Sequence, residues 1–301
     1  MADFENAVLY VDKHGNAVQT ELLRCILNEV SAKATVIDDY LQDQAADGHF
    51  PGTVPSVGEQ ATLARSAVHT AVERRIASER IASERIASER TTSEPVASER
   101  ITPERTASDI EATCRRLQFL RYLFPDNTNP AVQKALEWLE MSTHGATTPF
   151  ADNAQSIHLH LMRAWTMKLW GRNEVLPKDA KSLFASVSRL ETGTINLRFD
   201  ASSLAYAGAL ADERDREAIL SQLFTVLDHL NAHDLALVIN TLSDSGVDPL
   251  HKLIVGAADR LELLQGDDGG FGEEPNRIET TLRALRALLR CERFDSHPFF
   301  N

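Results

Sequence analysis

The chain is predicted to be all-α, a ring of helical hairpins, and three observations carry that prediction. Leu and Ala supply most of a 43% apolar content while aromatics make up only 6%, a balance that favours helix. Apolar residues recur at helical spacing along most of the 301-residue chain. One turn occurs twice, as Gln44-Ala45-Ala46-Asp47-Gly48-His49-Phe50 and as Gln265-Gly266-Asp267-Asp268-Gly269-Gly270-Phe271, both reading Gln-x-x-Asp-Gly-x-Phe. A turn repeated between helices marks an array in which each hairpin buries its apolar face against its neighbours.

The elements follow in order. Thr20 to Val30 carries Leu22, Leu23, Ile26 and Leu27 as one stripe behind a Thr cap. Ala32 to Gln44 is a second helix, ended by the first Asp-Gly turn, and Glu59 to Arg75 is a third. Asp109 to Phe124 carries Cys114, Leu117, Leu120 and Leu123. Asn129-Pro130 opens the next helix, with proline at its first position and Val132, Leu136 and Leu139 facing inward. Asp152 to Trp170 is apolar around much of its circumference, as an inner helix should be. Pro177 to Leu190, Ala201 to Ala211, Arg214 to His229, Ala232 to Ser243, Pro249 to Leu264 and Glu279 to Cys291 complete the set. Val8-Leu9-Tyr10-Val11 and Ile195-Asn196-Leu197-Arg198-Phe199 are apolar and short enough to be strands. About twelve helices in consecutive pairs make a double ring, half inside and half outside, and a ring lacking one pair fits almost as well.

Residues 76–105 break the pattern. Ile76-Ala77-Ser78-Glu79-Arg80 recurs from Ile81 and Ile86, then decays through Pro95 and Pro103. At five-residue spacing each Ile advances about 140° around a helix, so no continuous apolar stripe forms. The stretch reads as a low-complexity insertion, disordered or loosely helical, between the two parts of one domain at 1–75 and 106–301.

The net charge of −13 argues against nucleic acid as a partner. No run of about eighteen apolar residues predicts a membrane span. Met1-Ala2-Asp3-Phe4-Glu5-Asn6 lacks the features of a signal peptide, and Cys25, Cys114 and Cys291 are odd in number and far apart, so a cytoplasmic protein with reduced thiols is expected.

Asn231 to Ala236, Ser245-Gly246-Val247-Asp248-Pro249, the Gln265 turn and Thr280-Thr281-Leu282-Arg283-Ala284-Leu285 follow one another as repeats, and Tyr10-Val11-Asp12-Lys13-His14-Gly15 precedes the first helix pair. On these segments the chain resembles the prenyltransferase and squalene-oxidase repeat proteins. That α/α-toroid superfamily includes triterpene and diterpene cyclases and protein prenyltransferase β subunits. The resemblance covers most of the chain outside the insertion. It implies an α/α toroid and an isoprenoid or other apolar ligand in a central cavity, with terpene cyclase or prenyltransferase-like chemistry if the chain is an enzyme. Function varies within the superfamily and does not transfer with the fold.

The residues qualify what the resemblance implies. The family's alkene-protonating acid sits in an Asp-x-Asp-Asp segment that is absent here; Asp200, at the start of a small-residue helix, is the best single candidate, with capping as its alternative role. Asp38-Asp39-Tyr40-Leu41-Gln42-Asp43 only superficially resembles the metal-binding motif of ionising synthases, so no metal or other cofactor is expected, magnesium entering only with a diphosphate site. Cys291 and His297 lack the surroundings of the prenyltransferase zinc site. Asn196-Leu197-Arg198-Phe199, followed by Ala201 and Tyr206, resembles a β-subunit helix start in which Arg198 would meet an anion. His158, Met162, Trp165 and Leu169 share one face of the predicted inner helix, placed to line a ligand cavity or to pack in the core. The weakness of these motifs supports a second reading, a non-catalytic helical scaffold or interaction protein on a degenerate toroid.

Overall fold

The computed structural model describes residues 2–28, 34–52, 103–123, 128–142, 154–172 and 197–293. The chain divides into two units, 1–52 with 107–301 and 53–106. The helices predicted at Glu59–Arg75 and Pro177–Leu190, and nearly all of the insertion, lie outside the described residues.

The described residues form helices α1 (Phe4–His14), α2 (Ala17–Asn28), α3 (Ala34–Leu41), α4 (Pro103–Leu123), α5 (Pro130–Met141), α6 (Ala154–Leu169), α7 (Leu197–Leu210), α8 (Glu213–Val226), α9 (Ala232–Asp244), α10 (Lys252–Glu262) and α11 (Arg277–Arg290). A 3₁₀ turn follows α8 at Leu227–His229. The all-α prediction holds.

Both predicted strands are helical where they are described. Val8–Val11 lies inside α1, because Asp3 caps that helix through the Asn6 amide and Phe4, Ala7, Tyr10 and Val11 bury a helical stripe. Leu197, Arg198 and Phe199 form the first turn of α7, so Asp200 sits within a helix and not before one. Thr20 is likewise interior to α2. Its cap is Asn16, whose amide and side chain exchange two 2.9 Å bonds with Gln19 in a capping box. Further on, Asn129, Asp212 and Asn231 cap α5, α8 and α9 through their side chains.

Helices α6, α7, α9, α11 and α2 pack as successive neighbours, while α8 lies on α7, α10 on α9, and α1 on both α11 and α2. An apolar core runs through all of them.

The two Gln-x-x-Asp-Gly-x-Phe turns share their main hydrogen bonds. Gln44 donates through Nε2 to the carbonyls of Gly48 at 2.7 Å and Ala131 at 2.8 Å. Gln265 donates through Nε2 to the carbonyls of Gly269 at 3.0 Å and Asp3 at 2.7 Å. The Phe50 and Phe271 amides each donate to a threonine Oγ1 at 2.9 Å, Thr113 on α4 and Thr281 on α11. Both phenyl rings are fully buried. Gly48 and Gly269 have φ of 109° and 88° and lie against the carbonyls of Lys134 and Asn6 respectively. Thus α1 stands to the second corner as α5 stands to the first.

Candidate functional site

Two cavities flank the side chains that meet between α4, α6, α7, α9 and α11. One, of about 160 Å³, is lined by Glu111, Arg115 and Gln118 of α4, His158 and Met162 of α6, Ser202 and Tyr206 of α7, His233 and Leu237 of α9, and Arg283 of α11. The other, of about 440 Å³, is reached by later residues of four of these helices: Tyr122 of α4, Trp165 and Lys168 of α6, Asp244 of α9, and Arg286 and Arg290 of α11. Each of the four gives earlier residues to the smaller cavity and later residues to the larger, so they run in the same direction.

Long polar and aromatic side chains fill the space between the cavities. Tyr206, with no exposed surface, donates from its hydroxyl to Gln118 Oε1 at 3.3 Å. Gln118 donates to Thr166 Oγ1 at 2.9 Å, and Thr166 donates to the Met162 carbonyl at 2.8 Å. Burial pushes the Tyr206 phenol far above its ordinary range, so this relay carries a neutral hydroxyl. His158 is buried, its Nδ1 3.2 Å from Ser203 Oγ and its ring 5.8 Å from that of Tyr206. The Arg283 guanidinium lies 5.3 Å from the Phe119 ring centre, and that of Arg286 lies 3.4 Å from the Tyr122 ring centre. Asn240 ties the two arginines to α9, donating to the Arg283 carbonyl at 2.9 Å and accepting from Arg286 at 3.0 Å.

Arg283 is 5% exposed and bonds the Glu279 carboxylate at 2.7 and 3.1 Å. Burial alone would push the Glu279 carboxyl up. The charge of Arg283 and its hydrogen bond, with the charges of His233 and Arg115, outweigh burial and hold the carboxyl below its ordinary value. Protein surrounds Glu279, yet 43% of its side chain is open, so solvent screens part of this pairing. A lowered folded-state pKa stabilises the protein above the unfolded carboxyl's value of about 4.3 and ceases to do so as pH falls through the folded value. Glu279→Gln is therefore expected to be less stable than the parent at pH 7, and the gap should close below about pH 4. Thermal melts across that range measure it, and a gap constant with pH would show the pair to be irrelevant to stability.

The residues singled out from sequence divide between the cavities. His158, Met162 and Tyr206 meet at the smaller one. Trp165, predicted to share their site, lines the larger cavity, with the Lys168 ammonium 5.9 Å from its ring centre. One face of α6 thus lines two cavities. Arg198 and Asp200 lie on the first turn of α7, and their side chains fall outside the described residues. Asp38 and Asp39 are exposed on α3, as a solvated helix end would be. His297 lies outside the described residues. Among the described residues no group of three His, Cys, Asp or Glu side chains is placed to hold a metal, and no helix is long and apolar enough to cross a membrane.

Sequence reasoning missed Gln118, Glu279, Arg283 and Arg286. A signal existed: Glu279, Arg283, Arg286 and Arg290 recur at spacings of four and three on one face of α11. Such a stripe ordinarily faces water. Here its middle, Arg283 and Arg286, faces aromatic rings of α4.

Cys291, at the end of α11, has its thiol pushed up to about 11 by burial. At pH 8 its alkylation is expected to run about two orders of magnitude slower than that of a free cysteine, because the thiolate is the nucleophile. Mass-spectrometric time courses test this, and a free-thiol rate would mean that the helix end opens readily.

Comparison of the chain with protein-family models, curated proteins and solved structures finds no match.

Proposed function

We propose that the protein is a helical binding scaffold on an α/α toroid, related in architecture to the prenyltransferase and terpene-cyclase repeat proteins, with the space those proteins give to an isoprenoid filled by its own side chains. One observation carries this reading. The Tyr206–Gln118, Arg283–Phe119 and Arg286–Tyr122 contacts cross the centre, and about 160 Å³ is left at the mouth lined by His158 and Met162. Cavities for drug-sized ligands usually span about 300–1,000 Å³ and are lined mostly by apolar groups. This mouth presents two histidines, two arginines, a glutamate and a glutamine.

Two further facts support the reading. The corners at Gln44 and Gln265 bond the starts of α5 and α1 alike, as a ring of repeated hairpins would. Glu279, the partner of Arg283, is held ionised, the opposite of what an acid that protonates an alkene needs.

Incubation with C15 to C30 prenyl diphosphates and with squalene, followed by mass spectrometry of extracts, tests it. A scaffold should give neither product nor retained ligand. Turnover or stoichiometric retention would overturn it and restore the isoprenoid-binding reading, with Asp200 the first acid to substitute.

A further inference from the structure

The larger cavity, of about 440 Å³, is electrostatically one-sided. Among the described residues Arg121, Lys168, Arg286 and Arg290 line it against a single carboxylate, Asp244. Asp244 is already shared: Arg286 bonds both of its oxygens at 3.1 and 3.3 Å, and Arg290 bonds one at 2.5 Å. One carboxylate cannot neutralise two guanidiniums, so the pair of arginines keeps a net positive charge. Lys168 adds another; its ammonium donates to the Ala209 carbonyl at 3.0 Å and lies over Trp165. Burial and, less, the nearby Arg216 charge push the Lys168 ammonium down from its ordinary value.

Cations at the ends of α6 and α11 also complement helix dipoles, a role worth only about 0.3–1 kcal/mol each. That role accounts for cations dispersed around helix ends. It does not require several to converge on one cavity of ligand size beside an indole. Arginine forks that retain donors, a lysine and an apolar flank of Trp165 and Leu169 form the arrangement that holds a tetrahedral oxyanion and whatever is attached to it.

We propose that this cavity binds a phosphate-class oxyanion, free or as a monoester, between Lys168, Arg286 and Arg290, with any attached ring lying on Trp165. The site is distinct from the filled centre and does not depend on whether that centre ever holds an isoprenoid.

Titration calorimetry and thermal melts of the whole chain with inorganic phosphate, phenyl phosphate and acetate, at matched ionic strength, test the proposal. Both phosphates should bind and raise the melting temperature, and acetate should bind at least tenfold more weakly. Lys168→Ala and Arg290→Gln should each weaken phosphate binding about tenfold or more, while Lys13→Ala, a cation outside the cavity, should leave it unchanged. Phenyl phosphate binding tighter than phosphate, with an indole fluorescence change lost in Trp165→Phe, identifies an ester as the preferred form; equal affinities identify the free ion. The proposal is overturned if the parent shows neither heat nor a melting shift with either phosphate, if acetate binds as well, or if the Lys168 and Arg290 variants bind as the parent does. The parent measurements need no substitution, so a variant that fails to fold does not shield the proposal.

Discussion

Phe271→Ala is expected to destabilise the protein by about 3–5 kcal/mol, the cost of removing a fully buried aromatic ring and leaving a cavity behind. The ring has no exposed surface, and its amide is fastened to Thr281 at 2.9 Å. The backbone on either side is held by the Gln265–Phe271 bridge and by the Gly266 amide on the Gly270 carbonyl at 2.9 Å. A corner tied this firmly cannot collapse to fill the void, which places the loss toward the upper end of the range. Phe50→Ala should cost a similar amount, because Phe50 has the same burial and the same threonine bond. Urea unfolding of the two variants measures both. A loss under about 1 kcal/mol at either site would show that its corner relaxes freely, and very unequal losses would deny the equivalence of the two turns.

The second large effect is expected at Gly269. Its φ of 88° is closed to most residues, and a Cβ there would stand 2.2 Å from the Asn6 carbonyl oxygen of α1. Backbone strain alone costs about 1–2 kcal/mol. The collision adds to it, since the obstructing atom is main chain and cannot swing aside, so Gly269→Val should lose about 3 kcal/mol or more. Gly171 supplies the control. Its φ is 74°, yet a Cβ there meets nothing within 4 Å, so Gly171→Ala should lose only about 1–2 kcal/mol. Hydrogen exchange distinguishes the mechanism. If Gly269 matters because it admits α1, the amides of α1 should exchange faster in the valine variant while those of α9 keep their protection.

Much of the fold was legible because the strongest local signals agreed with the tertiary outcome. The Gln-x-x-Asp-Gly-x-Phe turns, the Asn129-Pro130 start of α5 and the stripes of α9 to α11 all occur where the residues indicate. The errors came where local apolar content was ambiguous. Val8–Val11 is short and apolar, and only the Asp3 cap with Phe4 and Ala7 decides for helix. Helix α7 begins at Leu197, ahead of the predicted Ala201, a start left unsignalled because Leu197-Arg198-Phe199 carries no helical stripe of its own.

The candidate site was less legible, for a physical reason. His158, Met162, Trp165 and Tyr206 were found by their apolar or aromatic character and their spacing. Arg283, Arg286 and Glu279 were missed because a charged stripe on one helix gives no sign of what lies opposite. Phe119 and Tyr122, which receive the guanidiniums, are more than 160 residues away in sequence. No periodicity within a single helix registers such a pairing.

The Asp3–Gln265 clasp joins groups 262 positions apart. Contacts so remote are the last for which chain entropy can be recovered, since all intervening segments must first be ordered. Helix α1 is made long before α11, so although α2 is at hand early, the packing that α11 supplies becomes available only later. A seam between segments so far apart should therefore form late and set the pace of refolding, and truncation after α10 should leave α1 more open to proteases.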